Sequence, residues 1–101
     1  VHINFINVSG KDLSGVKVNE TIIGTILKDG ETGYITFKRF RIDTSFPDAN
    51  FIATVDGSEI GCTSQFYDCG TEKEDLAGGK YDIYVRIVPG NGTQYIHLRF
   101  N

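Results

Sequence analysis

The chain has 101 residues, 40% of them apolar and 23% charged, with a formal net charge of −3. That length holds one domain, residues 1–101, with a single core and no second lobe, and the composition excludes a disordered chain. The acidic balance argues against a phosphate-binding surface, hence against nucleic acid as a partner. Apolar runs of two or three residues, such as Ile22-Ile23, are too short to span a bilayer.

Methionine is absent even at position 1, so a processed or trimmed chain is expected. An export leader upstream of Val1 fits this reading, and whether it carried a lipid-anchored cysteine is left open.

Polar and apolar residues alternate with period two, punctuated by Gly, Asp and Asn at intervals of eight to twelve residues. This is the pattern of a sandwich or barrel of short strands, not of helices. Residues 1–8 alternate Ile3 and Phe5 against His2 and Asn4, then break at Ser9-Gly10-Lys11-Asp12. Val16 and Val18 mark a short strand and Thr21 to Leu27 another, followed by a turn over residues 28–33. Tyr34 to Ile42 reads as a strand whose phase slips: Ile35 and Phe37 share one face, Phe40 and Ile42 the other. A bulge near Lys38-Arg39, or a crossing between sheets, would account for the slip.

Val55-Asp56-Gly57-Ser58 carries the Asp-Gly pair that a type I′ turn prefers. The implied register sets Val55 opposite Ser58, Ala53 opposite Ile60 and Phe51 opposite Cys62, and points Cys62 into the core. Cys62 and Cys69 are the two cysteines. They are read as a local disulfide in an oxidising compartment, the alternative being two reduced thiols, one buried and one not. Closing so short a loop would contribute about 2.5 kcal/mol at most. A metal site is a poor fit, since it needs two further ligands and His2 and His97 lie at opposite ends of the chain. The spacing is also not that of a Cys-x-x-Cys redox motif. No metal or cofactor is expected.

Asn7-Val8-Ser9, Asn19-Glu20-Thr21 and Asn91-Gly92-Thr93 match the glycosylation acceptor pattern, although the same residue types also mark turns. Residues 71–75 are acidic and read as one helical turn capped by Thr71, with Glu74 at the capping-box position. A Ca²⁺ site from Glu72, Glu74 and Asp75 would lack the alternating oxygen-donor loop such sites use.

The last hairpin is read as Tyr81–Val88 against Thr93–Phe100, with Gly90-Asn91 as its two-residue tip. That register pairs Tyr81, Ile83 and Val85 with Phe100, Leu98 and Ile96 on one face. On the other it pairs Asp82 with Arg99, Tyr84 with His97 and Arg86 with Tyr95. A slip of one residue would break every pair.

Leu76-Ala77-Gly78-Gly79-Lys80-Tyr81-Asp82-Ile83-Tyr84-Val85 resembles the loop-into-strand signature of immunoglobulin-like sandwiches, in which a Tyr entering the penultimate strand bonds to backbone upstream. Tyr81 matches that position. The stretches 3–13 and 22–34 look like the first strands and turns of small exported β-sandwich proteins of Gram-negative bacteria, many of them lipoproteins of unassigned function. The chain departs from true immunoglobulin domains in having no Trp and in cysteines too close together to bridge two sheets. The expected fold is an all-β, immunoglobulin-like antiparallel sandwich of about seven or eight strands. The resemblance carries no antibody-like recognition role.

No motif names a reaction: there is no Gly-x-Ser-x-Gly, no His-Glu-x-x-His and no phosphate-binding glycine loop. His97 facing Tyr84 reads as an ordinary cross-strand pair, and nothing singles out two of the thirteen carboxylates for glycoside hydrolysis. Tyr84, Tyr95, His97 and Arg86 are the candidate ligand-binding residues, a polar-aromatic patch suited to sugar or protein contact. A solvated or covered sheet face is the competing reading of the same residues. Lys38-Arg39-Phe40-Arg41 interleaves cations with a ring, as single-stranded nucleic acid sites do, but against the net charge it reads as a charge-protected strand edge.

The expected function is therefore a non-catalytic exported interaction or surface-associated module, in the periplasm, at the cell surface or secreted. A carbohydrate- or small-ligand-binding module is the alternative, and an inhibitor of a secreted enzyme acting through a tip such as Pro89–Gly92 a further one. Strand edges are expected at 1–8 or 38–42, where a second copy could pair.

Overall fold

The computed structural model of the chain describes residues 1–43, 46–62, 73–90 and 92–101. Among these the strands are β1 (His2–Asn7), β2 (Leu13–Val18), β3 (Thr21–Ile26), β4 (Glu31–Thr36), β5 (Arg41–Asp43), β6 (Phe46–Asp48), β7 (Phe51–Val55), β8 (Ser58–Gly61), β9 (Lys73–Asp75), β10 (Lys80–Pro89) and β11 (Gln94–Phe100). No helix occurs among the described residues. They form two four-stranded sheets, ordered β11-β10-β1-β4 and β3-β2-β7-β8, and a small third sheet, β6-β5-β9.

The period-two pattern becomes burial directly. Phe51, Ala53 and Val55 of β7 are buried while Ile52 and Thr54 between them are less so. Ile3 and Phe5 of β1, Ile83 and Val85 of β10, and Ile96 and Leu98 of β11 form the inner face of the first sheet. Leu13, Val16, Val18, Ile26 and Ile60 join β7 to form that of the second. The two faces meet in one cluster of rings. Phe5 lies 5.6 Å from Phe51 in the opposite sheet and 6.4 Å from both Phe37 and Phe40, in the tilted and edge-on arrangements that ring quadrupoles favour.

One pairing brings the chain's start to its end. β1 runs parallel to β10, with Phe5 opposite Ile83, and antiparallel to β4. The first strand thus lies in the sheet of the last two. In an immunoglobulin constant domain it lies instead with the second, fourth and fifth. The Tyr81 corner forms nonetheless: its hydroxyl donates to the Ala77 carbonyl at 3.0 Å, and its ring stands edge-on to Phe100.

The hairpin at 55–58 has the expected register, Val55 opposite Ser58 and Ala53 opposite Ile60, with Asp56 and Gly57 at φ +51° and +83°. Both values lie in the left-handed region that the Asp-Gly pair tolerates. The pairing stops at Ile52–Gly61, so the Phe51–Cys62 pair does not form. Cys62 instead bridges in parallel to Ile96 of the first sheet and packs against the core. Cys69 lies outside the described residues, and the expected disulfide with it.

Three other expectations are corrected. The strand expected over 34–42 ends at Thr36: the chain leaves the first sheet there, buries Phe37 and Phe40, and re-enters the third sheet as β5. The phase slip therefore marks a crossing rather than a bulge. The acidic segment pairs as β9 along β5 instead of turning as a helix, because an open edge outweighs the weak helix preference of a few residues. Thr71 and Glu72 lie outside the described residues. The supposed edges are interior: β1 sits between β10 and β4, and β5 between β6 and β9.

Asn7 is fully buried, and its amide donates to the carbonyls of Lys11, Ile26 and Leu27 at 2.8, 3.0 and 3.1 Å. Its Oδ1 accepts from the Ser9 backbone N–H and hydroxyl. The Asn7-Val8-Ser9 match is thus a structural pin, closed to any transferase in the folded chain. Asn91 of the third match lies outside the described residues.

Candidate functional site

β10 and β11 pair antiparallel with Ile83 opposite Phe100, Val85 opposite Leu98 and Ile87 opposite Ile96. On the other face Tyr84 stands opposite Arg99, Arg86 opposite His97 and Val88 opposite Tyr95. Every expected partner is displaced by two residues. The Gly90 N–H donates to the Thr93 carbonyl at 2.8 Å, and Gly92 stands at φ +76°. Residues 90 and 93 close the hairpin where 89 and 92 were expected to, and Asn-Gly is the strongest short hairpin signal in a sequence. Gly90 has its own reason to be glycine, since a Cβ there would run into the Tyr95 ring.

A shift of two keeps parity, and parity decides the face. Tyr84, Arg86, Tyr95 and His97 therefore still share the outer side of the first sheet, and Ile83 and Leu98 are both buried on the inner side. The neighbours change. Arg99, assigned to Asp82 from the sequence, stands opposite Tyr84 and joins the group. The four positions form a block with arginines on one diagonal and rings on the other. Opposite Cβ atoms in such a pair lie about 5 Å apart, and diagonal residues about 7–8 Å.

Arg86 and Arg99 are exposed; Tyr84, Tyr95 and His97 are half-buried, and Tyr84 donates to the Asn101 side chain at 3.2 Å. Desolvation, then the charges of Arg86 and Arg99, holds the His97 imidazole below its ordinary value, because a third positive charge is unwelcome there. Among the described residues neither arginine has an ion pair. The other end of the face is polar and internally bonded. Asp82 Oδ1 accepts from the Tyr34 hydroxyl at 2.9 Å and from Asn4 at 3.3 Å, and the Lys80 ammonium lies 5.2 Å from the Tyr34 ring centre. The bond to Asp82, more than burial, raises the Tyr34 pKa.

The second sequence candidate breaks up. Phe40 is buried, while Arg39 and Arg41 both turn toward Asp75 of β9, at 2.7 and 3.9 Å. No ring is left for a base to stack on. Among the described residues no three His, Cys, Asp or Glu side chains gather as metal ligands.

What fold and site together define is a class: an all-β protein of two packed sheets that shows a polar-aromatic sheet face. No protein-family model, curated protein or solved structure matches the chain.

Proposed function

We propose that the protein is a non-catalytic, exported interaction module on an immunoglobulin-like β-sandwich, working by presenting a surface. The observation that carries this is the outer face of the β10–β11 hairpin, where Tyr84, Arg86, Tyr95, His97 and Arg99 lie together on one side of a rigid sheet. Amphipathic rings and guanidiniums supply contact area and hydrogen bonds at small entropic cost, as binding surfaces require. The Tyr81 corner supports the immunoglobulin-like reading, and the cysteine pair and the resemblance support export.

A second reading takes the same face as a carbohydrate- or small-ligand-binding site. The specific observation favouring it is the placement of His97 directly opposite Arg86 and beside Arg99, a polar arrangement richer than sheet stability needs. Protein and glycan arrays probed with the intact chain and with Tyr84→Ala test both readings. A partner captured by the parent chain and lost by the variant supports use of this face. Binding that the variant leaves unchanged, or no binding on either array, overturns it.

A further inference from the structure

We propose that the block of Tyr84, Arg86, His97 and Arg99, with Tyr95 beside it, binds an anionic glycan, a polysaccharide bearing uronate carboxylates or sulfates. This rests on the second reading above and names its class of ligand. Four observations carry it.

The chain has thirteen acidic residues against ten Lys and Arg, yet these two exposed arginines face outward with no ion pair among the described residues. Asp82, the acidic group diagonal to Arg99, is engaged by Tyr34 and Asn4. The patch is thus locally cationic on an acidic protein, and its complement is an anion.

The guanidinium is a planar fork matched to two oxygens of a carboxylate or sulfate. Two forks rooted at diagonal positions, which lie about 7–8 Å apart along the backbone of such a pair, suit a ligand that repeats its charge rather than a single ion. Tyr84 on the other diagonal, half-buried, brings a ring to the block against which the C–H side of a sugar can pack.

β10 is bonded on both sides, to β1 and to β11. An extended peptide could not add to β10 as a strand, so contact with the Tyr84 and Arg86 half of the block is made by side chains.

His97 is flanked by Arg86 across the strands and Arg99 along its own, with Tyr84 and Tyr95 as its other ring neighbours on the face. Burial first, and then the two arginine charges, disfavour the charged imidazole, and an anion seated between the arginines would offset the second of these.

Binding to polygalacturonate, dextran sulfate, uncharged dextran and poly-glutamate, measured by affinity electrophoresis and calorimetry, tests the inference. The parent chain is expected to bind at least one of the two charged polysaccharides, and which one tells uronate from sulfate. Affinity should fall at least about fivefold in the Arg86→Gln/Arg99→Gln variant, and likewise between low and high salt. Both positions are exposed, so the variant should fold, as circular dichroism will verify. Equal binding to dextran overturns the charge inference and leaves the carbohydrate reading standing. Equal binding to poly-glutamate, or binding indifferent to the double variant, overturns the site. Binding to none of the polymers overturns the inference, while the glycan and protein arrays still decide the two readings it builds on.

Discussion

The side-chain amide of Asn7 donates to the Ile26 carbonyl at 3.0 Å, and this bond ties the first strand of one sheet to the end of β3 in the other. The same amide reaches Lys11 and Leu27, so one buried side chain gathers three carbonyls at the end of the sandwich. Only an amide has donors for the carbonyls and an acceptor for Ser9. Asn7→Ala leaves these groups short of partners and should cost about 2–4 kcal/mol, seen as a lower urea midpoint at unchanged slope. Asn7→Asp should be worse at neutral pH, since it sets a carboxylate against carbonyl oxygens, and acidification should recover part of the loss.

Phe5 is the ring through which both sheets and the 37–40 crossing touch. Phe5→Ala should destabilise by about 3–5 kcal/mol and Phe5→Leu by clearly less, because only the first opens a large cavity. Chemical denaturation monitored by tyrosine fluorescence would report both.

Tyr81→Phe removes the hydroxyl that holds Ala77 and keeps the ring against Phe100. The expected cost is about 1 kcal/mol, typical of one net hydrogen bond. A null result in thermal unfolding would mean the corner is ornamental here.

His97 should titrate below 6.5 in the folded chain, and Arg86→Gln or Arg99→Gln should each raise its pKa. NMR titration of the ring protons measures this. The sign for stability follows from linkage. The unfolded chain takes up the proton first, so the His97 contribution is absent above 6.5. Stability is lost as pH falls from there to the lower folded pKa, and levels off beneath it.

Gly90→Ala should push the Tyr95 ring off its seat. Because the ring can swing, the cost should stay near 1–2 kcal/mol, within the range for overpacking. A changed Tyr95 ring shift with intact β10–β11 pairing is the expected spectrum.

The turn at 55–58 and its nearest pairs were legible because Asp-Gly in the left-handed region admits one turn geometry. The Phe51–Cys62 pair at the far end was lost to the bridge between Cys62 and Ile96. At 90–93 two overlapping dipeptides competed, and the choice moved every cross-strand partner by two while leaving faces intact. Arg99 was missed as a site residue for that reason alone, and the Asn-Gly pair was the signal that would have found it.

Alternation along the chain by itself determined that the protein is all-β, which side chains enter the core, and which share the outer face of the last hairpin. Those are consequences of a two-residue period within each strand, and they need no knowledge of neighbours. The tertiary structure alone decided that β1 lies parallel beside β10, that residues 37–40 cross between sheets, and that the acidic segment becomes an edge strand. Each of these is a contact between segments distant along the chain, chosen by which unpaired edge and which apolar surface happen to meet, and local patterning carries no record of that.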